Sequence, residues 1–205
     1  MNYFITGIGT DVGKSIASAV LVEAIKADYW KPMQAGDLEN SDTIKTKALV
    51  SNSKSIFHPE RHRLNTPASP HLSAKLDGVD IHIDDFELPK TDNHLIIEGA
   101  GGILVPINER EETILDLIIY TEAEAILISR HYLGSINHTL LSINQLRDRN
   151  ISLKGIIFIG DENIETENII KQNGKVDILG RIPMLNELSK EAIKGIAKNF
   201  KHLSE

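Results

Sequence analysis

Three stretches hold most of the residues that could do chemistry: residues 7–15, Lys31 with its flanks, and Glu98 with the glycines behind it. GIGTDVGKS, residues 7–15, approaches the phosphate-binding pattern G-x-x-x-x-G-K-[ST], with five residues instead of four between Gly7 and Gly13. In such a loop, backbone N–H groups and a helix N-terminus face phosphate oxygens, a lysine reaches the outer phosphates and a hydroxyl ligates Mg²⁺. Lys14 and Ser15 are the residues for the last two tasks. HLIIEGAGG, residues 94–102, is an apolar run that ends in Glu98 and breaks into glycines. Open α/β sheets bind ligands at the carboxyl ends of their strands, and glycine lets backbone approach a ligand closely. Glu98 is therefore the carboxylate expected beside the loop. Asp42, in ENSDT, is either a second crevice acid or part of a helix cap. Lys31, in YWKPMQAG and fixed by Pro32, either faces the same crevice or is a solvated surface lysine. In the crevice its ammonium could neutralise a transferring phosphoryl group or hold an anionic intermediate.

These residues need strands to carry them and helices to cover the strands. Apolar runs at 3–6, 28–31, 94–98, 125–129, 153–159 and 177–181 read as strands, several of them apolar at consecutive positions as in strands covered on both faces. Helical patterns at 14–27, 41–50, 113–120, 135–150, 165–173 and 187–198 alternate with them. Gly174 fits a helix C-cap, and the charged tail 190–205 a solvated helix face. The expectation is an α/β fold of the P-loop NTPase type, a mostly parallel sheet with helices on both faces, in one domain spanning residues 1–205. Residues 57–90, which include Pro59, Pro67, Pro70 and Pro89, read as a long irregular insertion of the kind that is often functional.

Composition sets outer bounds. With 205 residues, 41% hydrophobic and 25% charged, the chain can bury a full core. The net charge of −7 gives no ground to expect nucleic acid or an anionic membrane as partner. The absence of cysteine excludes disulfides, thiolate metal sites and cysteine nucleophiles. No apolar run approaches the roughly 18 residues of a spanning helix, and the first residues lack a secretory pattern. A cytoplasmic location is expected.

GTDVGKS, WKPMQAG, NSD, SPH, EGAGG, LGSINH and GRIP follow one another in the order found in dethiobiotin synthetases, and the chain resembles that family from Gly7 to Pro183. The resemblance accounts for the longer loop and implies an activity. Such enzymes carboxylate one amine of 7,8-diaminopelargonic acid (7,8-diaminononanoate) with CO₂ or bicarbonate and phosphorylate the carbamate with ATP. The second amine then closes the ureido ring, leaving dethiobiotin, ADP and phosphate. By the same resemblance Lys31 and Lys14 stabilise the phosphoryl and carbamate charges, and Thr10 lies by the diamine. Asp11, Val12, Gly13, Lys14, Ser15 and Ile16 wrap the phosphates; Glu98, Gly99, Ala100 and Gly101, with Ile159, Gly160 and Pro183, line the rest of the nucleotide site. Ser15, Asp42 and Glu98 surround Mg²⁺. Ala35 lies by the substrate, and Asn137 reaches it across the interface of a homodimer.

Two positions depart from the family pattern. Ala35 stands where many relatives have a hydroxyl, and Ile159 where they often have an asparagine that reads adenine. An apolar side chain cannot hydrogen-bond a base edge, so weaker discrimination of ATP from CTP and GTP is expected. An ATPase switch of the deviant-Walker group is the contrasting possibility, but Gly9 occupies the place of that group's extra lysine. A paralogue acting on another acid, or only binding nucleotide, is the third. His58 and His62 are four residues apart, but Pro59 argues against the helix that a zinc site would need. His71, in PASPH, is a candidate for direct contact with substrate.

Overall fold

A computed structural model describes residues 1–204. Nine strands alternate with seven helices: β1 Asn2–Gly7, α1 Lys14–Ile25, β2 Asp28–Trp30, β3 Met33–Ala35, α2 Asp42–Leu49, β4 Phe57–His58, β5 His62–Leu64, α3 Pro70–Asp77, β6 Leu95–Gly102, α4 Ile114–Tyr120, β7 Glu124–Arg130, α5 Ser135–Asp148, β8 Leu153–Ile159, α6 Ile164–Gly174, β9 Ile178–Ile182 and α7 Lys190–Ala197. Seven strands form one sheet in the order β4-β2-β6-β1-β7-β8-β9, and every pairing is parallel. The expected α/β, P-loop-type sheet is present.

Alternation along the strands decides which helix covers which face. Tyr3, Ile5, Ile126, Ile128, Ile157 and Ile159 pack beneath α1 and α7, whereas Phe4, Leu95, Ile97 and Ala125 face α4 on the other side. Both faces being buried explains why the strands read as unbroken apolar runs. α1 is buried nearly all round, from Ala17 to Val22, because it lies between the sheet and α7.

Register places the functional residues at one edge. β1 pairs with β6 so that Ile5 lies opposite Glu98, and the pairing slips before Gly7 meets Gly102. β2 runs along the other side of β6 with Trp30 opposite Ile97, so Lys31 leaves the sheet next to Glu98.

Three expectations need correcting. Residues 57–90 are only partly irregular: between stretches without regular structure they contain β4, β5, α3 and a 3₁₀ turn at Ile83–Asp85, and β5 pairs in parallel with β3 as a small second sheet. Short strands interrupted by prolines leave little periodicity to read. Gly174 is the last residue of α6, and Lys175, at φ 45°, takes the left-handed cap; a Cβ at 174 would come within 2.7 Å of Cδ1 of Ile143, which would have to shift. The C-terminal segment is more than a solvated face. Ile193, Ala197, Phe200 and Leu203 are buried, and Tyr3 Oη donates a hydrogen bond to the Leu203 carbonyl at 3.1 Å. Glu205 lies outside the described residues.

Gly36 joins β3 to the loop before α2. Its φ of +70° is a left-handed conformation, and a Cβ would sit 2.5 Å from Cβ of Pro67. Gly36→Ala is expected to cost about 2–4 kcal/mol, the sum of left-handed strain and overpacking. Denaturant unfolding checks it; a loss below about 0.5 kcal/mol would contradict the assigned backbone.

Candidate active site

The loop between β1 and α1 turns back on the end of the sheet. Gly13, at φ 96°, precedes the first residue of α1, and a Cβ on it would meet Ile159 at 3.1 Å. Glycine therefore serves both the turn and the close packing of loop against β8. Lys14, only 8% exposed, donates from Nζ to the Gly9 carbonyl at 2.8 Å, so it lies along the loop.

Glu98, 1% exposed, is the hub. It accepts hydrogen bonds from Ser15 Oγ at 2.7 Å, from Tyr29 Oη at 3.0 Å and from Lys31 Nζ at 3.3 Å. Lys31 also donates to the Gly99 carbonyl at 3.0 Å and lies 2.6 Å from Asp42 Oδ2. Lys31 is 4% exposed, so of its two possible places the crevice is the one it occupies. Asp42 and the helix cap also separate cleanly. Ser41 caps α2 by accepting from the Ile44 N–H, leaving the Asp42 carboxylate free for Lys31.

Burial and charge act against each other on these groups. Burial, helped by the nearby Lys31 ammonium, lowers the pKa of Lys14 to about 8. Burial also works to lower that of Lys31, but Glu98 and Asp42 together outweigh it and the net shift is upward. For Asp42, burial is outweighed by Lys31 and the pKa falls. Tyr29 is pushed well above its usual value by burial and by Glu98, so it remains a neutral donor. One ammonium is thus fixed by two carboxylates, and the other is buried with no carboxylate within 4 Å among the described residues.

A cavity of about 640 Å³ opens over this network. Thr10, Asp11, Gly13, Lys14, Ser15, Ile16, Lys31, Ala35, Asp42, Glu98, Ala100 and Gly101 line it, with Pro67–Pro70 forming a wall. A smaller cavity of about 200 Å³ lies on the far side of the loop, against Asp11, Val12, Gly13, Ile16, Ile159 and Pro183. Gly160, buried at the end of β8, donates its N–H to the Ile182 carbonyl at 2.9 Å. Gly99 borders the network through its carbonyl.

Asn137 lies apart, exposed in the first turn of α5 and outside both cavities. His71 lines a different cavity of about 450 Å³ with Asn108 and Glu109. His58 and His62 approach separate carboxylates, Asp28 at 3.4 Å and Asp85 at 3.6 Å.

Two positioning residues went unread in the sequence. Tyr29 shares a strand face with Lys31, and that period of two was the available signal. Gln34 accepts from the Asp42 N–H at 3.1 Å and donates to the Gly36 carbonyl at 3.0 Å; it belongs to the short strand β3, whose pattern carries no such signal.

Comparison with known proteins agrees with this geometry. The seven-stranded fold is similar to a chain of the MinC:MinD cell division protein complex of Aquifex aeolicus, at a TM-score of 0.59 and 15% identity over 100% of this chain and 96% of that one. It is also similar to the cell division ATPase MinD of Pyrococcus furiosus, at a TM-score of 0.57 and 13% identity over 98% and 99%. Identities this low speak for the fold alone. A family model described as an AAA domain matches residues 1–192. ATP-dependent dethiobiotin synthetases are much nearer in sequence. That of Christiangramia forsetii is 54% identical over 98% of this chain and 96% of its own length, and that of Cytophaga hutchinsonii is 46% identical over 95% and 94%. That of Rhodopseudomonas palustris is 46% identical over 96% and 92%. Matches of this extent establish that the chain belongs to the ATP-dependent dethiobiotin synthetase family.

Proposed function

We propose that the larger cavity is where this chain, as an ATP-dependent dethiobiotin synthetase, carboxylates 7,8-diaminopelargonic acid and closes the ureido ring. The observation that carries this is the meeting of Lys14, Ser15, Lys31 and Glu98 at the mouth of one phosphate loop. A diamine amine adds CO₂ and loses a proton to give the carbamate. A carbamate oxygen attacks the γ-phosphorus of ATP, and ADP leaves. The second amine then attacks the carbamate carbon and expels phosphate. The nucleophiles belong to the substrates, so the protein need only position, neutralise and exclude water.

Lys14 swings from the Gly9 carbonyl to the transferred phosphoryl group, and Lys31 holds the carbamate. Thr10 and Ala35 border the diamine; Asp11–Ile16 cradle phosphate through backbone N–H groups. Ser15, Asp42 and Glu98 suit Mg²⁺: a hydroxyl and two carboxylates are hard oxygen donors, and nucleotide phosphates and water complete such a shell. Bound there, the ion would draw charge from the phosphate oxygens. Gly99–Gly101, Ile159, Gly160 and Pro183 complete the nucleotide side. The whole of residues 1–205 works as one unit, in the cytoplasm where ATP is supplied.

The same proposal includes a homodimer. Leu133 is fully exposed just before α5, and Tyr132, Ile136 and Leu141 extend an apolar patch around Asn137. Pairing of two copies would cover the patch and bring Asn137 to the partner's cavity. Leu133→Glu is expected to convert the dimer to monomer in light scattering and to raise KM for the diamine at least tenfold; a variant that stays dimeric would remove this patch from the interface.

The reaction is tested with Mg-ATP, ¹³C-bicarbonate and the diamine. Label in the ureido carbonyl of dethiobiotin is expected by mass spectrometry. Unlabelled or absent product would defeat the proposal.

A further inference from the structure

The cavity behind the loop has one polar feature that the reaction leaves unused. Arg130 ends β7 and, with Asp11, is one of two charged residues lining that space among the described residues; Ile159, Ile182, Met184 and Leu188 make most of the remaining wall. Its direction follows from strand geometry. Ile126 and Ile128 are buried on the face of the sheet covered by α1, and Arg130, two residues further on, shares that face. β7 and β8 pair with Arg130 opposite Ile159, so the guanidinium emerges beside the side chain that packs on Gly13. No carboxylate lies within 4 Å of it among the described residues, although the chain has 29 acidic residues against 22 Lys and Arg.

The neighbourhood is also held rigid. Arg181 donates to both oxygens of Glu167 and, at 3.1 Å, to the Asp161 carbonyl, and Glu167 also pairs with His131 at 2.9 Å. His131 stacks on Phe158 with ring centroids 5.1 Å apart. The side chains flanking Arg130 are therefore committed to one another, while Arg130 is not.

We propose that Arg130 is the residue that reads the nucleotide base. This rests on the ATP-dependent activity above and adds the specificity element that Ile159 cannot supply. The apolar walls would sandwich a flat ring, as exposed Met184 and Leu188 would otherwise face water. A guanidinium only donates, so it selects bases by their acceptor edges. Guanine and hypoxanthine offer O6 and N7 together, whereas adenine pairs one acceptor with an amino group on each edge. Arg130 therefore supports binding of 6-oxopurine nucleotides as well as ATP, and contributes least to pyrimidines, whose single ring extends less far from the loop.

The test is calorimetric binding of ADP, GDP, IDP and CDP with Mg²⁺ to wild type, Arg130→Ala and Arg130→Lys. Losing a charge-assisted contact should weaken GDP and IDP about tenfold or more, ADP less, and CDP least. Arg130→Lys, which keeps the charge but not the planar fork, should lose the same selectivity. If Arg130→Ala weakens all four nucleotides equally and Arg130→Lys restores them, Arg130 attracts phosphate and the inference fails. Unchanged affinities also overturn it. Wild-type protein that binds none of the four would instead defeat the nucleotide-dependent activity itself, so the two failures are distinct.

Discussion

Lys31→Ala lowers kcat by about a thousandfold or more, the scale of removing one fixed group that meets charge developing in the transition state. The expectation rests on where the ammonium sits. It is held by Glu98, Asp42 and the Gly99 carbonyl at 3.3, 2.6 and 3.0 Å, so its position is set before substrate arrives. The same substitution costs stability, on the order of 3 kcal/mol, because two carboxylates, Glu98 fully buried and Asp42 partly so, lose their shared partner. It also changes the acid limb of the stability curve. Asp42 has a folded pKa below its ordinary value because Lys31 faces it, so its contribution is present above about pH 4 and is lost as pH falls through the folded value. In Lys31→Ala that loss on acidification should be smaller. Steady-state kinetics and urea unfolding between pH 3 and 7 check both; full activity in the variant would exclude Lys31 from the chemistry.

Lys14→Met is expected to move activity and stability in opposite directions. Nucleotide binding should fall by a hundredfold or more, since the loop loses its charge toward the outer phosphates. The ligand-free protein, in contrast, should gain stability at neutral pH. The sign follows from the pKa of Lys14, lowered to about 8 by burial and by Lys31. The unfolded chain, with a lysine near its ordinary 10.5, binds more protons between these values, so wild-type stability rises as pH climbs from about 8 to 10.5. Below pH 8 the full cost of holding the buried ammonium is present. A shift of this size corresponds to roughly 3 kcal/mol, from which the lost hydrogen bond to Gly9 subtracts part. Methionine fills the space without the charge, so a net gain of about 1–2 kcal/mol is expected, with the rise above pH 8 absent. A destabilised variant with wild-type pH dependence would show that Lys14 is not strained in the resting site.

Much of this site was legible because its residues sit at strand ends inside short, distinctive segments. Glu98 closes an apolar run, and Lys14 follows a strand and a glycine loop; either feature fixes both element and edge. Asp42 and Lys31 each admitted two local readings, and only the register of β2 on β6, together with Ser41 taking the cap, separates them. Tyr29 escaped because an aromatic residue in a buried strand reads as core, which it also is. The small β3–β5 sheet and α3 escaped because strands of three residues and a helix of eight leave no sustained period, and prolines signal interruption. Gly174 shows the same limit in reverse: a glycine at a helix end suggests a left-handed turn, and only packing reveals that a Cβ there would press on Ile143.

The most direct test of the proposed chemistry is phosphate release from Mg-ATP and bicarbonate, with and without 7,8-diaminopelargonic acid, in wild type and Lys31→Ala. Phosphate released only with the diamine, one per dethiobiotin formed, and lost in the variant, is the expected result. Release at the same rate without the diamine, or unaffected by Lys31→Ala, would contradict a carbamate held by Lys31 beside the phosphate loop.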